Sequence, residues 1–156
     1  MHNHAPVDYV CPICLGVEGV ENDQTLIRQS DIVWKDEMAM VFVASYFIGR
    51  NDGHLIVVLN EHFENIYDLP DELGAHVFAL ARKFATVMRE VYGCEGVMMQ
   101  QNNEPASGQH AFHYHMHLFP RYEGDEIHAF MGKKRVTVAE ERLPFAEKIR
   151  RHLALG

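Results

Sequence analysis

Three histidines at alternate positions, His113, His115 and His117, are the residues of this sequence most clearly arranged for chemistry. Side chains alternate between the two faces of a β-strand, so the three imidazoles would share one face; on a helix they would scatter over about 400° of arc. Neighbouring imidazoles on a strand would stand about 6.6 Å apart and the outer two about 13 Å apart. Because the imidazole pKa lies near neutrality, such a face suits nucleophilic and proton-transfer chemistry on a phosphate-sized group.

The residues between these histidines favour a strand with one face on a core. Apolar side chains occupy the alternate positions Phe112, Tyr114, Met116 and Leu118. The central His115 is then best placed to act on a substrate, while its neighbours orient it or transfer a proton. Two alternatives are a sheet face that carries histidines by chance and a metal centre built from the three imidazoles. Against the metal centre, a flat strand holds the rings too far apart to bind one ion at about 2.1 Å each.

A second group with chemical capacity is the pair Cys11 and Cys14, separated by two residues. The pair could be a redox couple, half of a zinc site or a chance spacing. A thioredoxin-type couple is expected in a βαβ context, which this N-terminal region lacks. Two thiolates at this spacing are common in zinc sites. The only other cysteine is Cys94, so histidines are the expected source of further ligands.

The surrounding sequence predicts the elements that position these groups. Residues 32–34, 38–45, 53–59 and 96–100 have strand character, in addition to the histidine strand. Apolar residues at three- and four-residue steps predict a long helix between Pro70 and Gly93, and a second helix is expected over residues 139–155. We therefore expect an α+β fold, with an antiparallel sheet of about five strands, one long helix and a C-terminal helix.

Composition narrows the class of protein. At 156 residues we expect one domain spanning residues 1–156. A net charge of −8 argues against non-specific nucleic-acid binding, but a small phosphorylated ligand needs only local donors. The apolar residues 38–48 are too few to cross a bilayer, and no secretory signal is recognisable, so we expect a cytoplasmic protein without a membrane partner. We interpret Lys133-Lys134-Arg135 as a solvated loop, with a phosphate-facing role as the alternative.

The histidine pattern, preceded by Gly108-Gln109 and by an asparagine-rich loop that begins at Asn102, resembles the histidine triad (HIT) family of nucleotidyl hydrolases and transferases. The resemblance covers about residues 10 to 125. Residues from about 126 to 156 form a C-terminal extension outside it. It implies a HIT-like fold, which is commonly a homodimer. The apolar face of residues 38–47 is a candidate for the dimer interface.

The resemblance also implies roles for individual residues. His115 is the nucleophile that forms a transient nucleotidyl-histidine, His117 assists the leaving group and His113 orients His115. His54, which follows Gly53, is a supporting residue beside the triad. Asn102, Gln109 and His110 are expected to contact the α-phosphate, although the family often has a small hydroxyl residue where this chain has His110.

Zinc-binding members of the family complete a cysteine pair with two histidines, and the corresponding ligands here are Cys11, Cys14, His62 and His113. We therefore expect a structural zinc, of the kind found in zinc-containing bacterial members. No essential magnesium is suggested, since the site lacks clustered carboxylates. One departure concerns the ribose: many members carry an acidic residue where this chain has Val43-Ala44-Ser45, and Ser45, Asn51 or Asp52 could substitute for it.

We therefore expect a nucleotidyl hydrolase or transferase that acts at the α-phosphate of a nucleotide derivative. Family members divide between phosphoramidates and dinucleoside polyphosphates, and these residues do not choose between the two. The alternative is a zinc-stabilised nucleotide-binding or regulatory protein with little turnover.

Overall fold

The computed structural model describes residues 2–155, and its centre is an antiparallel sheet of five strands. In chain order the strands are β1 (Ile32–Lys35), β2 (Ala39–Val43), β3 (Tyr46–Ile48), β4 (Leu55–Leu59), β5 (Gly96–Gln101), β6 (His115–Arg121) and β7 (Lys134–Val136). The helices are α1 (Pro12–Val17), α2 (Asp71–Tyr92), α3 (Ile127–Phe130) and α4 (Ala139–Leu155). The main sheet has the order β1-β2-β4-β6-β5, so the predicted α+β fold is confirmed.

Helix α2 lies where the apolar periodicity predicts it. Asp71 and Glu72 occupy the first turn, where carboxylates interact favourably with the positive helix end. Gly93 ends the helix with φ 66°, a left-handed conformation that glycine adopts without steric cost. The buried face of α2, which includes Phe84 and Met88, packs on β4, β5 and β6 and closes the main core.

The segment that follows the triad strand forms a second, two-stranded sheet. Residues 133–135 are expected to be a solvated loop, yet β7 pairs with β3 in antiparallel register. Helix α4 then packs against α2, β1 and β2. Its Arg142 is buried and forms an ion pair with Asp31, with 2.8 Å between guanidinium Nε and carboxylate Oδ1. The C-terminal extension is therefore part of the packed structure.

The structure does not leave β2, the centre of residues 38–47, available to form a dimer interface. Strand β2 lies between β1 and β4, and every one of its residues is buried within the chain. The open edges of the main sheet are β1 and β5. Within residues 2–155, no helix combines the length and the apolar character needed to span a bilayer.

Candidate functional site

The triad lies at the N-terminal end of β6, in the middle of the main sheet. His117 is paired with Ile56 on one side and with Gln100 on the other, and His115 is paired with Val58. Strand pairing begins at His115, so His113 stands two residues before the strand. The apolar positions behave as predicted at Tyr114 and Leu118, which join the main core. This packing fixes the backbone from which the imidazoles project.

His115 is held in a single orientation by its own backbone neighbour. Its ring Nδ1 lies 2.6 Å from the carbonyl oxygen of His113. Because a carbonyl only accepts hydrogen bonds, Nδ1 must carry the proton, and Nε2 keeps its lone pair. Burial lowers the pKa of His115, although the bond to His113 opposes this shift. The structure thus presents a neutral, oriented imidazole nitrogen, which is the form that a nucleophile requires.

His117 and His54 form an aromatic group beside this ring. The His115 and His117 ring centroids are 4.9 Å apart, and those of His54 and His117 are 5.6 Å apart. Burial lowers the pKa of His54 to about 3 and, together with the neighbouring His115, lowers the pKa of His117 well below its ordinary value. Nδ1 of each of His54 and His117 is buried without a hydrogen-bond partner among the described residues. Both rings are therefore neutral, and His117 retains unused hydrogen-bonding capacity.

A cavity of about 500 Å³ opens over the triad. His115 and His117 line it, and its walls are mostly apolar, with contributions from Ile27, Phe42 and Ile56. Tyr9, Ser45, Tyr46, His110 and Lys134 also line the cavity. Apolar walls with a few convergent polar groups are typical of small-ligand sites. The triad alone does not indicate these wall residues, because they come from widely separated parts of the chain.

The three expected phosphate-binding residues have different surroundings. His110 is exposed and lines the cavity. Asn102 does not line the cavity; its amide Nδ2 lies 3.4 Å from the Gly108 carbonyl oxygen, and its Oδ1 accepts from the Gln100 side chain at 3.1 Å. Gln109 is buried, and its side chain donates to the carbonyl oxygens of Glu64 and Ala111.

Gln109 also uses its remaining polar groups within the loop. Its Oε1 accepts from the Glu104 backbone N–H at 2.6 Å, and its own backbone N–H donates to the Glu104 carbonyl at 3.2 Å. Every N–H donor of Gln109 is therefore occupied. In this arrangement Gln109 supports the loop that carries His110, and its donation to the α-phosphate stays a prediction.

The three residues considered as substitutes for the ribose-binding carboxylate also differ in their surroundings. Ser45 lines the cavity, and its backbone carbonyl accepts from Thr137. Asn51 is buried elsewhere and donates to the Pro120 carbonyl and the Asp125 carboxylate. Asp52 is exposed and does not line the cavity. Of the three, only Ser45 is placed to meet a ligand above the triad.

The four expected metal ligands converge at one point. The ligand atoms of Cys11, Cys14, His62 and His113 all lie within 4.8 Å of one another. Sulfur-to-nitrogen distances are 3.4 Å for Cys11–His113, 3.5 Å for Cys14–His113 and 3.3 Å for Cys14–His62. A zinc tetrahedron with two sulfurs and two nitrogens has sulfur–nitrogen edges of roughly 3.6 Å. The arrangement therefore fits a tetrahedral metal site.

The surroundings of the cluster also suit a metal. His113 donates from Nε2 to the Leu59 carbonyl oxygen at 3.0 Å, which leaves Nδ1 free and directed at the two sulfurs. Burial lowers the pKa of His113 to about 4, so the ring is neutral, as a ligand must be. Burial raises the pKa of the Cys14 thiol to about 12, with Cys11 adding to the effect, so two thiolates here would need a cation to compensate them.

Comparison with known proteins places these features in one family. A family model described as "HIT domain" matches residues 27–124. The "Protein hit" of Bacillus subtilis is 36% identical over 94 residues, or 60% of this chain and 63% of that protein, so the chain spans less than two thirds of this relative. An uncharacterised HIT-like protein of Methanocaldococcus jannaschii is 33% identical over 110 residues, or 70% of this chain and 83% of the relative.

One relative and two solved structures carry functional names. The adenylylsulfatase HINT3 of Arabidopsis thaliana is 23% identical over 123 residues, or 78% of this chain and 61% of that protein. A zinc-bound histidine triad protein of Mycobacterium smegmatis shares the fold with a TM-score of 0.74, at 23% identity, over 93% of this chain and 94% of the other. The Plasmodium falciparum diadenosine triphosphate hydrolase shares the fold with a TM-score of 0.72, at 16% identity, over 99% of this chain and 90% of the other.

A HIT-like protein of Bartonella henselae has a TM-score of 0.70 at 27% identity, over 78% of this chain and 85% of the other. The α+β fold with its five-stranded antiparallel sheet thus has counterparts in solved structures. Since the family model covers more than half of the sequence, the chain belongs to the histidine triad (HIT) family.

Proposed function

We propose that this protein is a nucleotidyl hydrolase or transferase that acts at the α-phosphate of a nucleotide derivative through a nucleotidyl intermediate on His115. One observation carries the proposal. The His115 ring is fixed by its Nδ1–H bond to the His113 carbonyl, while the ring itself lines the cavity. Its Nε2 lone pair is therefore available without prior removal of a proton. The family contains hydrolases, including the named Arabidopsis and Plasmodium proteins.

The reaction proceeds in two displacements. The Nε2 lone pair of His115 forms a bond to the α-phosphorus, and the bond from phosphorus to the leaving group breaks, with its electron pair departing on the leaving atom. His117 donates a hydrogen bond to that atom, since its ring is neutral and stands 4.9 Å from His115. A water molecule or another acceptor then attacks the phosphorus, the N–P bond breaks with its electron pair returning to Nε2 of His115, and the proton of the acceptor is released to solvent. Covalent catalysis of this type replaces one difficult step by two easier ones.

The remaining cavity residues bind the nucleotide. The apolar walls around Ile27 and Phe42 would take the base, and the Ser45 hydroxyl would meet the ribose. His110 and Asn102 are the proposed phosphate contacts, with Gln109 fixing the loop between them. His54 packs against His117 and against Phe119, whose ring centroid is 4.5 Å from that of His54, and so limits the movement of the triad rings.

We further propose that the cluster of Cys11, Cys14, His62 and His113 holds a structural zinc ion. A zinc ion held by these four residues would supply no reaction step, because four protein ligands leave no open position for a substrate. Its effect is to tie the N-terminal segment to the backbone that precedes β6. His113 then serves as a ligand through Nδ1, and its carbonyl oxygen orients His115. The same residue thereby connects the metal site to the nucleophile.

A binding protein with little turnover is the second candidate, and the placement of Gln109 favours it. With all its N–H donors engaged in the loop, Gln109 cannot stabilise charge on the phosphoryl oxygens. A site with fewer such donors binds a nucleotide more readily than it accelerates a displacement.

Turnover of adenosine 5′-phosphoramidate and of diadenosine triphosphate distinguishes the two candidates. Wild-type protein is compared with His115→Ala and with His128→Ala, a control at an exposed histidine outside the cavity. We expect His115→Ala to lower turnover by at least about 10⁴-fold and the control to change nothing. Full activity in His115→Ala would refute the enzymatic proposal. Nucleotide binding without turnover in the wild type would favour the binding protein.

We also propose a homodimer that forms along β5. This strand is an open edge of the main sheet, and beside it Phe78 and Met99 are 58% and 38% exposed. A second copy could continue the sheet and cover both side chains. Sedimentation equilibrium should give twice the chain mass for the wild type and a monomer for Phe78→Glu. A monomeric wild type would refute the dimer.

A further inference from the structure

Lys134 lies in the C-terminal extension, beyond the matched residues 27–124, yet it lines the cavity above the triad. It is the first residue of β7 and is paired with Ile48 of β3. Ile48 packs in a cluster with Phe119, and the Phe119 ring stacks on His117 with 5.4 Å between centroids. A continuous set of contacts therefore connects the position of Lys134 to the triad.

The side chain of Lys134 is directed to the cavity by strand alternation. Lys134 and its pairing partner share one face of the small sheet with Tyr46, while Arg135 points the other way. The Lys134 Nζ atom lies 4.8 Å from the centroid of the Tyr46 ring, which itself lines the cavity. Arg135 is instead engaged by Glu141 at 2.6 Å. Of this basic cluster, Lys134 is the member that faces the cavity.

Lys134 is the main source of positive charge in the cavity lining. Among the described residues that line it, Lys134 is the one lysine or arginine, and no aspartate or glutamate lines it. In a chain of net charge −8, the cavity is therefore a local region without acids and with one cation. Such a field attracts and orients an anionic ligand.

The position of β7 is fixed by a buried ion pair. Arg142 donates to the Thr137 carbonyl, one residue after β7 ends, and forms its ion pair with Asp31. It also donates to the carbonyl of Leu26, which lines the cavity. Thr137 in turn donates to the Ser45 carbonyl from both its N–H and its hydroxyl. The extension and the cavity wall are thus held together, and Lys134 is carried on a rigid support.

We propose that Lys134 binds the second phosphate of the substrate, so that this site favours leaving groups that begin with a phosphate over uncharged amines. The inference rests on the proposed nucleotidyl transfer at His115. When the N–P bond forms and the α-phosphorus–oxygen bond breaks, the electron pair and its negative charge move to the departing phosphate. An ammonium group beside that phosphate stabilises both the bound ligand and the developing charge. A phosphoramidate has no second phosphate for Lys134 to bind.

The test compares two substrates across three variants. For Lys134→Met, kcat/KM with diadenosine triphosphate should fall by about tenfold, as expected for a lost hydrogen bond between charged groups near solvent. With adenosine 5′-phosphoramidate, kcat/KM should stay within about twofold of the wild type. Lys134→Arg should restore most of the loss. Lys133→Met is the matched control, since Lys133 does not line the cavity, and it should leave both substrates unaffected.

Equal losses on both substrates, or no loss on either, would overturn the inference while leaving the proposed function intact. If the wild type turns over neither substrate, the proposed function fails, and binding of AMP and ADP decides the inference separately. Lys134→Met should then weaken ADP binding by about tenfold and leave AMP binding unchanged. Equal effects on the two nucleotides, or no binding of either by the wild type, would overturn it.

Discussion

The metal cluster and the triad cavity use histidine in the same way but surround it differently. In each, one ring nitrogen donates to a backbone carbonyl: His113 Nε2 to Leu59 at 3.0 Å, and His115 Nδ1 to His113 at 2.6 Å. The other nitrogen of His113 faces two thiol sulfurs, whereas the His115 ring lines an open cavity. An oriented imidazole thus becomes a ligand or a nucleophile according to the groups that surround its free nitrogen.

The largest expected effect is on folding, at the metal cluster. Cys11→Ser should lose the bound zinc and should lower the free energy of unfolding strongly, because a structural zinc contributes on the order of 10 kcal/mol to folding in small zinc domains. Metal content by mass spectrometry and unfolding by urea would measure this. A variant that keeps its zinc would contradict the four-ligand assignment. His115→Ala is the comparison, and it should keep both zinc and fold.

A smaller effect is expected at Gln109, whose side chain is engaged by backbone groups of its own loop and of Glu64. Gln109→Ala leaves the backbone groups of Glu64, Ala111 and Glu104 without their partners, and should lower the free energy of unfolding by about 2 kcal/mol. Asn102→Ala removes a long contact with the Gly108 carbonyl and a hydrogen bond from the Gln100 side chain, leaves no buried backbone group unpaired, and should change stability little and reduce turnover. Urea unfolding measures the first effect. If Gln109→Ala instead reduced turnover and left stability unchanged, Gln109 would be a phosphate contact.

An effect that depends on pH is expected at His54 and concerns acid stability. Since burial lowers its folded pKa to about 3, His54 binds a proton only when the protein unfolds, so its contribution is present above the unfolded pKa of about 6.5 and is lost as the pH falls toward 3. Wild type should therefore lose about 1.4 kcal/mol more per pH unit across this window than His54→Leu. Urea midpoints between pH 7.5 and pH 4.5 measure the difference.

The control for this comparison is His128→Leu, at an exposed position. It should follow the wild type at every pH. If His54→Leu shows the same acid slope as the wild type, then His54 is not held neutral by burial, and its support of the triad rings needs another explanation.

The sequence predicts well those features that depend on local spacing. Alternation places His115 and His117 on one strand face, and the apolar periodicity between Pro70 and Gly93 identifies α2. The pairing of β3 with β7 was not predictable, because the two strands are short and far apart in the sequence, and β7 is wholly exposed. Lys134 was therefore visible only as part of a basic cluster.

The placement of Gln109 was unpredictable for a different reason. Its partners are backbone atoms, including the carbonyl of Glu64, and a backbone acceptor leaves no trace in residue type. Spacing from the triad identifies the loop but not the direction of its side chains. Ser45 illustrates the same limit, since Ser45, Asn51 and Asp52 were equivalent in sequence and only the fold separates them.

The most direct test of the account is to observe the intermediate on His115. Wild-type protein is mixed with diadenosine triphosphate, stopped within milliseconds in denaturant at alkaline pH, and its intact mass and peptides are measured. The account predicts a species that carries one adenylyl group on the peptide containing His115, and no such species in His115→Ala. Turnover without this adduct, or an adduct on another residue, would contradict it.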